Sequence, residues 1–343
     1  MRFTRRAFVV HAAATGLAAK AAGKVVSVRT VEGPIPLSQL GFTLSHEHIC
    51  ACIPEFWRQW PEGFHGRAGF VGRAVEQLKA LKGQGVDTLV DLSTYDGGRD
   101  IRLIEEVSRK SGLQIVVCTG QHLFAPPDKA DRGTDALTEF FIGEIERGID
   151  GTDIRAGIIK VATATDVITA PEERALRAAA RASRATGIRI ATHTHARLRA
   201  GEKQAAILED EGISPARVSL GHSDDSGDFD YLEKLARRGY TLGMDHVNRG
   251  LEADARVPWK TRAEIIRKLI DAGLGDRMVL SQDVVLGTAM LPVEFQGERE
   301  KNNPDGMSFT LRGLIPYLEE IGVPAKAIRA LTVDNPRRFF GGA

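Results

Sequence analysis

From residue 42 onward the chain repeats one pattern eight times: a short apolar, β-rich run ending in polar residues, then an amphipathic stretch, then a glycine-containing turn. The apolar runs are 42–49, 86–93, 115–120, 156–163, 188–195, 218–224, 241–247 and 278–284. Segments such as 172–186 and 261–272 lie between them, with apolar side chains three and four positions apart. Alternating β and α units imply a parallel sheet. Eight near-continuous apolar strands fit a closed (β/α)8 TIM barrel better than an open doubly wound sheet, and the sequence carries no glycine-rich phosphate loop of the GxGxxG or Walker kind. At 343 residues, 43% of them hydrophobic, the chain can bury one such core, taken as a single domain over 24–343. No linker rich in Pro, Gly or Ser divides it.

Lys and Arg number 46 against 45 Asp and Glu, so the formal charge of +1 provides no field for nucleic acid or an anionic membrane. The expected partner is a small molecule. Cys50, Cys52 and Cys118 are odd in number, and the first two stand too close together for an ordinary disulfide, so buried thiols are expected. Arg5-Arg6 heads an alanine-rich stretch over 10–22 with no acidic residue before Glu32. That pattern reads as a twin-arginine export signal over 1–23, with the mature chain in the periplasm or beyond. No other run approaches the ~18 apolar residues needed to span a bilayer.

Sites in such barrels form at the C-terminal ends of the strands. The first run ends in His46-Glu47-His48, where a period of two puts both imidazoles on one face. The fourth ends in Ile158-Ile159-Lys160, the fifth in Thr192-His193-Thr194-His195 and the sixth in Gly221-His222-Ser223-Asp224-Asp225. The seventh ends in Asp245-His246 and the eighth in Ser281-Gln282-Asp283. A histidine at such a place is a metal ligand or a hydrogen-bonded core residue. Lys160 is more demanding, because a buried, unpaired ammonium costs several kcal/mol. Either it pairs with a neighbouring aspartate, or its neutral amine has added carbon dioxide to give a carbamate, an anionic donor able to bridge two cations.

The segments Gly41-Phe42-Thr43-Leu44-Ser45-His46-Glu47-His48-Ile49, Arg155-Ala156-Gly157-Ile158-Ile159-Lys160-Val161-Ala162-Thr163, Thr192-His193-Thr194, Gly221-His222-Ser223-Asp224-Asp225 and Asn303-Pro304-Asp305-Gly306-Met307 closely resemble, in this order, the bacterial phosphotriesterases of the amidohydrolase superfamily. The resemblance runs from about Val28 to Phe340. It implies that His46, His48 and Asp283 bind the more buried of two divalent ions, and that His193 and His222 bind the more exposed. Carboxylated Lys160 and a hydroxide would bridge them, the metals being zinc or another borderline divalent ion. It further implies that Asp283 accepts the proton at attack, that His246 and Asp225 relay it to solvent, and that the protein is a homodimer. A simple hydrogen-bonded brace is the other reading of His246 and Asp225.

His122, Leu123 and Phe124, in the loop after the third strand, and Trp259 are candidates for the substrate pocket wall. His195 shares the phase of His193 but matches no position of the family pattern, so a supporting or core role is expected. Two departures bear on the substrate. The loop after the seventh strand is short, and the third-strand loop has Gln121-His122-Leu123-Phe124 where the organophosphate-degrading members carry a Trp-Phe pair. Such loops are similar to those of lactonases related to the phosphotriesterases. The expected reaction is therefore opening of lactones, N-acyl homoserine lactones among them, with phosphotriester hydrolysis as a side activity. A true aryldialkylphosphatase is the alternative hydrolase. A non-catalytic metal- or solute-binding barrel would tolerate loss of a ligand, yet all six ligand positions are filled; a mononuclear deaminase would have no use for Lys160.

Overall fold

The computed structural model describes residues 26–51, 59–60, 62, 66–123, 133–252, 255–287 and 300–342. The export signal expected over 1–23, Cys52 and Phe124 lie outside them. Each of the eight apolar runs forms a strand: β3 (Thr43–Glu47), β4 (Thr88–Asp91), β5 (Gln114–Gln121), β6 (Ile158–Ala162), β7 (Arg189–His193), β8 (Val218–Leu220), β9 (Thr241–Met244) and β10 (Met278–Leu280). They lie side by side in chain order, every neighbouring pair parallel. Between β10 and β3 the seam is closed just past the strand ends, where Asp283 N donates to His46 O at 3.0 Å and His48 N to Val284 O at 2.9 Å.

A hairpin not apparent in the sequence pattern, β1 (Ser27–Thr30) with β2 (Gly33–Pro36), crosses the N-terminal end of the barrel, where Val31 N donates to Ile115 O. Its Val28 joins Leu40 and Phe339 as a plug against the inward-facing Val90, Val116, Cys118, Ile158 and Ala191. Cys50 and Cys118 are buried, as expected. Two residues beyond Ile158 and Ala191 stand Lys160 and His193. The strand period that buries an apolar side chain low in the barrel thus lifts a polar one on the same face to its mouth.

The outer layer includes α1 (Gly66–Gly83), α2 (Ile101–Ser111), α3 (Gly133–Glu146), α4 (Ala170–Thr186), α5 (Ala200–Asp210), α6 (Phe229–Arg237) and α7 (Trp259–Asp271). Local signals set their ends. Asp100 caps α2 by accepting from Leu103 N at 3.0 Å, a contact type that stabilises by ~1 kcal/mol. Thr169 and Glu172 form a capping box on α4, which ends at Gly187 with φ of 83°. Leu103, Ile104 and Val107 of α2, with Leu176 and Ala179 of α4, turn onto the outside of the barrel and join one continuous core. Among the described residues no helix is long and apolar enough to cross a membrane.

Candidate metal centre

Strand β3 carries His46 to the C-terminal rim with His48 just past its end, β6 carries Lys160 and β7 carries His193, while the turns after β8, β9 and β10 supply His222, His246 and Asp283. Ligand atoms of His46, His222 and Asp283 all lie within 4.8 Å of one another. Asp283 Oδ1 stands 3.0 Å from His48 Nε2 and 3.5 Å from His46 Nε2. Lys160 Nζ is 2.9 Å from His46 Nε2, and His193 Nδ1 is 2.8 Å from His222 Nε2. The six positions singled out as ligands therefore meet in one place. His222 and Asp283 reach it through left-handed backbone, φ of 57° and 51°, a conformation that costs a non-glycine residue roughly 1–2 kcal/mol. His222 N donates to Asp245 Oδ1 at 2.7 Å, and Asp283 N donates to His46 O, so both turns are held.

Asp245 was assigned no role from the sequence, yet it organises the centre. Its Oδ2 accepts from His46 Nδ1 at 2.8 Å and its Oδ1 from His222 Nδ1 at 2.9 Å. Each ring then keeps its proton on Nδ1 and turns the Nε2 lone pair to the centre, the tautomer a cation needs. Room for this carboxylate comes from Gly243, where an added Cβ would lie 2.7 Å from Asp245 Oδ2. Glu47 is the second residue missed. It accepts from Ser281 Oγ at 2.7 Å, Gln282 N at 2.9 Å and Val284 N at 2.9 Å, pinning the turn that carries Asp283. Its signal was the phase of the His-Glu-His triplet, which sends Glu47 to the face opposite both histidines.

The electrostatics suit a divalent ion. Burial, reinforced by the charge of Lys160, holds His46 down at about 3, and burial likewise lowers His193 and His222. Burial opposes the charge on Asp283, but His46 and the hydrogen bond from His246 keep its carboxyl well below the usual range. Neutral imidazoles beside an ionised carboxylate form a donor set that fits a borderline divalent metal. Lys160 is fully buried and pulled down to about 8 by burial. Among the described residues it has no ion-pair partner, so the aspartate pairing open from the sequence does not form there.

Asp283 Oδ2 lies 2.7 Å from His246 Nε2, and His246 Nδ1 lies 3.0 Å from Asp225 Oδ2. Burial would lower His246, but Asp225 and Asp283 outweigh it and push the imidazole up to about 10. Arg262, buried, donates from Nη1 to Asp225 Oδ1 at 2.5 Å and to Asp224 Oδ2 at 3.3 Å. An unbroken hydrogen-bonded chain thus leads away from Asp283.

A cavity of ≈ 730 Å³ opens above these residues, with His122, Ser93, Arg197, Arg249 and Arg256 in its wall. His122 enters it with its ring 5.1 Å, centroid to centroid, from that of His193. Two pocket expectations are corrected. Trp259 is not in the wall; it packs edge-on against Tyr317 at 5.0 Å and Phe309 at 5.5 Å, because as the first residue of α7 it faces the C-terminal helices. Leu123 is half-buried outside the lining. His195 stands outside it too, its carbonyl accepting from Leu198 N at 3.1 Å as the chain turns into α5.

A parallel (β/α)8 barrel with neutral imidazoles, a carboxylate and a buried lysine gathered at its C-terminal mouth defines a metal-dependent hydrolase. The chain belongs to the Phosphotriesterase family, whose profile matches residues 26–340. The structure of the phosphotriesterase from Mycobacterium tuberculosis superposes with a TM-score of 0.85 and 37% identity, covering 92% of this chain and 100% of that one. The aryldialkylphosphatase of Saccharolobus solfataricus is 33% identical over 314 residues, 89% of this chain and 96% of its own. The phospho-furanose lactonase of Mycoplasmopsis synoviae is 29% identical over 331 residues, 91% of each.

Proposed function

We propose that this hydrolase opens lactones and turns over phosphotriesters as a side activity, with two divalent ions, zinc or a similar metal, as its cofactor. His46, His48 and Asp283 would hold one ion and His193 and His222 the other, with Lys160, as its carbamate, between them. Bound there, the ions supply a water acidic enough to attack near neutral pH and a positive charge for the oxygen of the ester. The chain's own residues handle the proton. Asp283 accepts it, and His246, 2.7 Å away and fixed by Asp225, carries it outward. In the overall reaction water adds its hydroxyl to the carbonyl carbon, the ring C–O bond breaks, and the ring oxygen leaves with a proton as the alcohol of a hydroxy acid.

One observation fits lactones: the described wall of the cavity is built of imidazoles, guanidinium groups and small aliphatic side chains. An aryl phosphotriester needs a flat apolar slot for its leaving group, whereas the leaving alkoxide of a lactone stays tethered to the ring it came from. The name of the Mycoplasmopsis synoviae relative supports this reading, and that of the Saccharolobus solfataricus relative supports the side activity. Export by the twin-arginine route and dimerisation belong to the same proposal and rest on the sequence alone. The test is kcat/KM of the zinc-loaded chain for paraoxon and for a homoserine lactone series. Lactones ahead by ~10-fold or more, about 1.4 kcal/mol at the transition state, support it, and paraoxon ahead by that margin reverses it.

A further inference from the structure

Three arginines stand at the mouth of the cavity. Arg197 comes from the turn after β7 (Ala196–Leu198), Arg249 from the turn after β9 (Val247–Leu251), and Arg256 from the segment leading into α7. Arg197 and Arg256 are exposed and have no ion-pair partner among the described residues. Arg249 is mostly buried, touches the Asp283 carbonyl at 3.4 Å, and its Nε is a buried donor with no hydrogen-bond partner. Two carboxylates face Arg249 in the same wall, Glu252 and Asp283, each 3.8 Å away, while Asp225 is taken by Arg262 and His246.

Aliphatic side chains are few in the same wall: among the described residues they are Ala51, Leu92, Ala255 and Val285. A neutral triester carries no charge for a guanidinium to meet. We infer that Arg197 and Arg256, assisted by Arg249, bind an anionic substituent of the substrate, a carboxylate, sulfonate or phosphate carried away from the ester bond. Guanidinium groups suit such oxyanions because their planar, permanently charged forks donate in pairs. The inference rests on the lactonase reading and narrows it to acidic lactones.

The zinc-loaded full chain is assayed with a γ-lactone carboxylic acid, with its methyl ester, with a phosphorylated lactone and with paraoxon. The acid is expected to exceed its methyl ester by ~10- to 100-fold in kcat/KM, mostly through KM, and the advantage should shrink between roughly 0.05 and 0.5 M salt as screening grows. The phosphorylated lactone, compared with the acid, shows which oxyanion the arginines prefer. R197Q/R256Q should bring the acid-to-ester ratio towards one while melting with the wild type. Equal rates for acid and ester in the wild type overturn the inference and leave the lactonase reading standing. Turnover of paraoxon with no lactone hydrolysed overturns both.

Discussion

Lys160 Nζ lies 2.9 Å from His46 Nε2, an amine facing an imidazole at the floor of a buried centre. Burial disfavours charge on either group, and no carboxylate among the described residues pairs with the lysine. Burial thus leaves more of the reactive neutral amine near neutral pH than an exposed lysine would have. Lys160→Met keeps the length and removes that chemistry. The variant should retain at most one metal ion per chain, and non-denaturing mass spectrometry should find the additional mass of one carbon dioxide on the wild type and not on the variant. A variant that still binds two ions would show that the lysine does not bridge them.

Asp245 serves two imidazoles at once, 2.8 Å from His46 and 2.9 Å from His222. An amide has only one accepting oxygen, so Asp245→Asn frees one ring or turns both. Chelator competition should show metal affinity weakened by ~10- to 100-fold, with circular dichroism unchanged. Wild-type affinity would reduce Asp245 to a brace for the β8–β9 turns.

His246→Asn interrupts the hydrogen-bonded chain between Asp283 and Asp225 without removing a proposed ligand. The value of kcat should fall by ~10²-fold or more while metal content stays at two per chain. Unchanged kcat would favour the bracing role left open by the sequence.

What was legible in the sequence depended on how far the strand period reached. Lys160 and His193 lie inside strands, so their inward aim follows from Ile158 and Ala191 two residues earlier. The runs expected over 218–224 and 278–284 instead stop as strands at Leu220 and Leu280, because His222 and Asp283 turn into left-handed backbone. Beyond such a turn alternation says nothing about aim. Asp245 directly follows the last residue of β9, and its place in the chain carries no mark of the two imidazoles it meets. Trp259 was misplaced because an aromatic side chain near a pocket loop carries no mark of which way the next helix faces.

Arg262 is buried between Asp224 and Asp225, and Asp224 is wholly inaccessible. Arg262→Met leaves that carboxylate enclosed and unpaired. Chemical denaturation should show a loss of about 3–5 kcal/mol. A loss under ~1 kcal/mol would mean that water reaches the pair.

Glu211, just past α5, accepts from Arg177 at 3.0 Å and Arg181 at 3.0 Å on α4. Hydrogen bonds from Arg181, then Arg177, hold its carboxyl below the usual range. A depressed carboxyl stabilises the fold above its unfolded pKa and loses that contribution as pH falls through its folded value. Glu211→Gln should cost about 0.5–1 kcal/mol at pH 7, a gap that closes below roughly pH 4 in paired thermal melts. A gap constant with pH would assign the effect to packing.

The central claim is a centre built for two ions, and titrating zinc into chelator-stripped enzyme in bicarbonate buffer tests it most directly. Lactone hydrolysis and bound metal, read from the same samples, should rise together and level off at two equivalents per chain. Full activity at one equivalent, or activity that survives stripping, would contradict it.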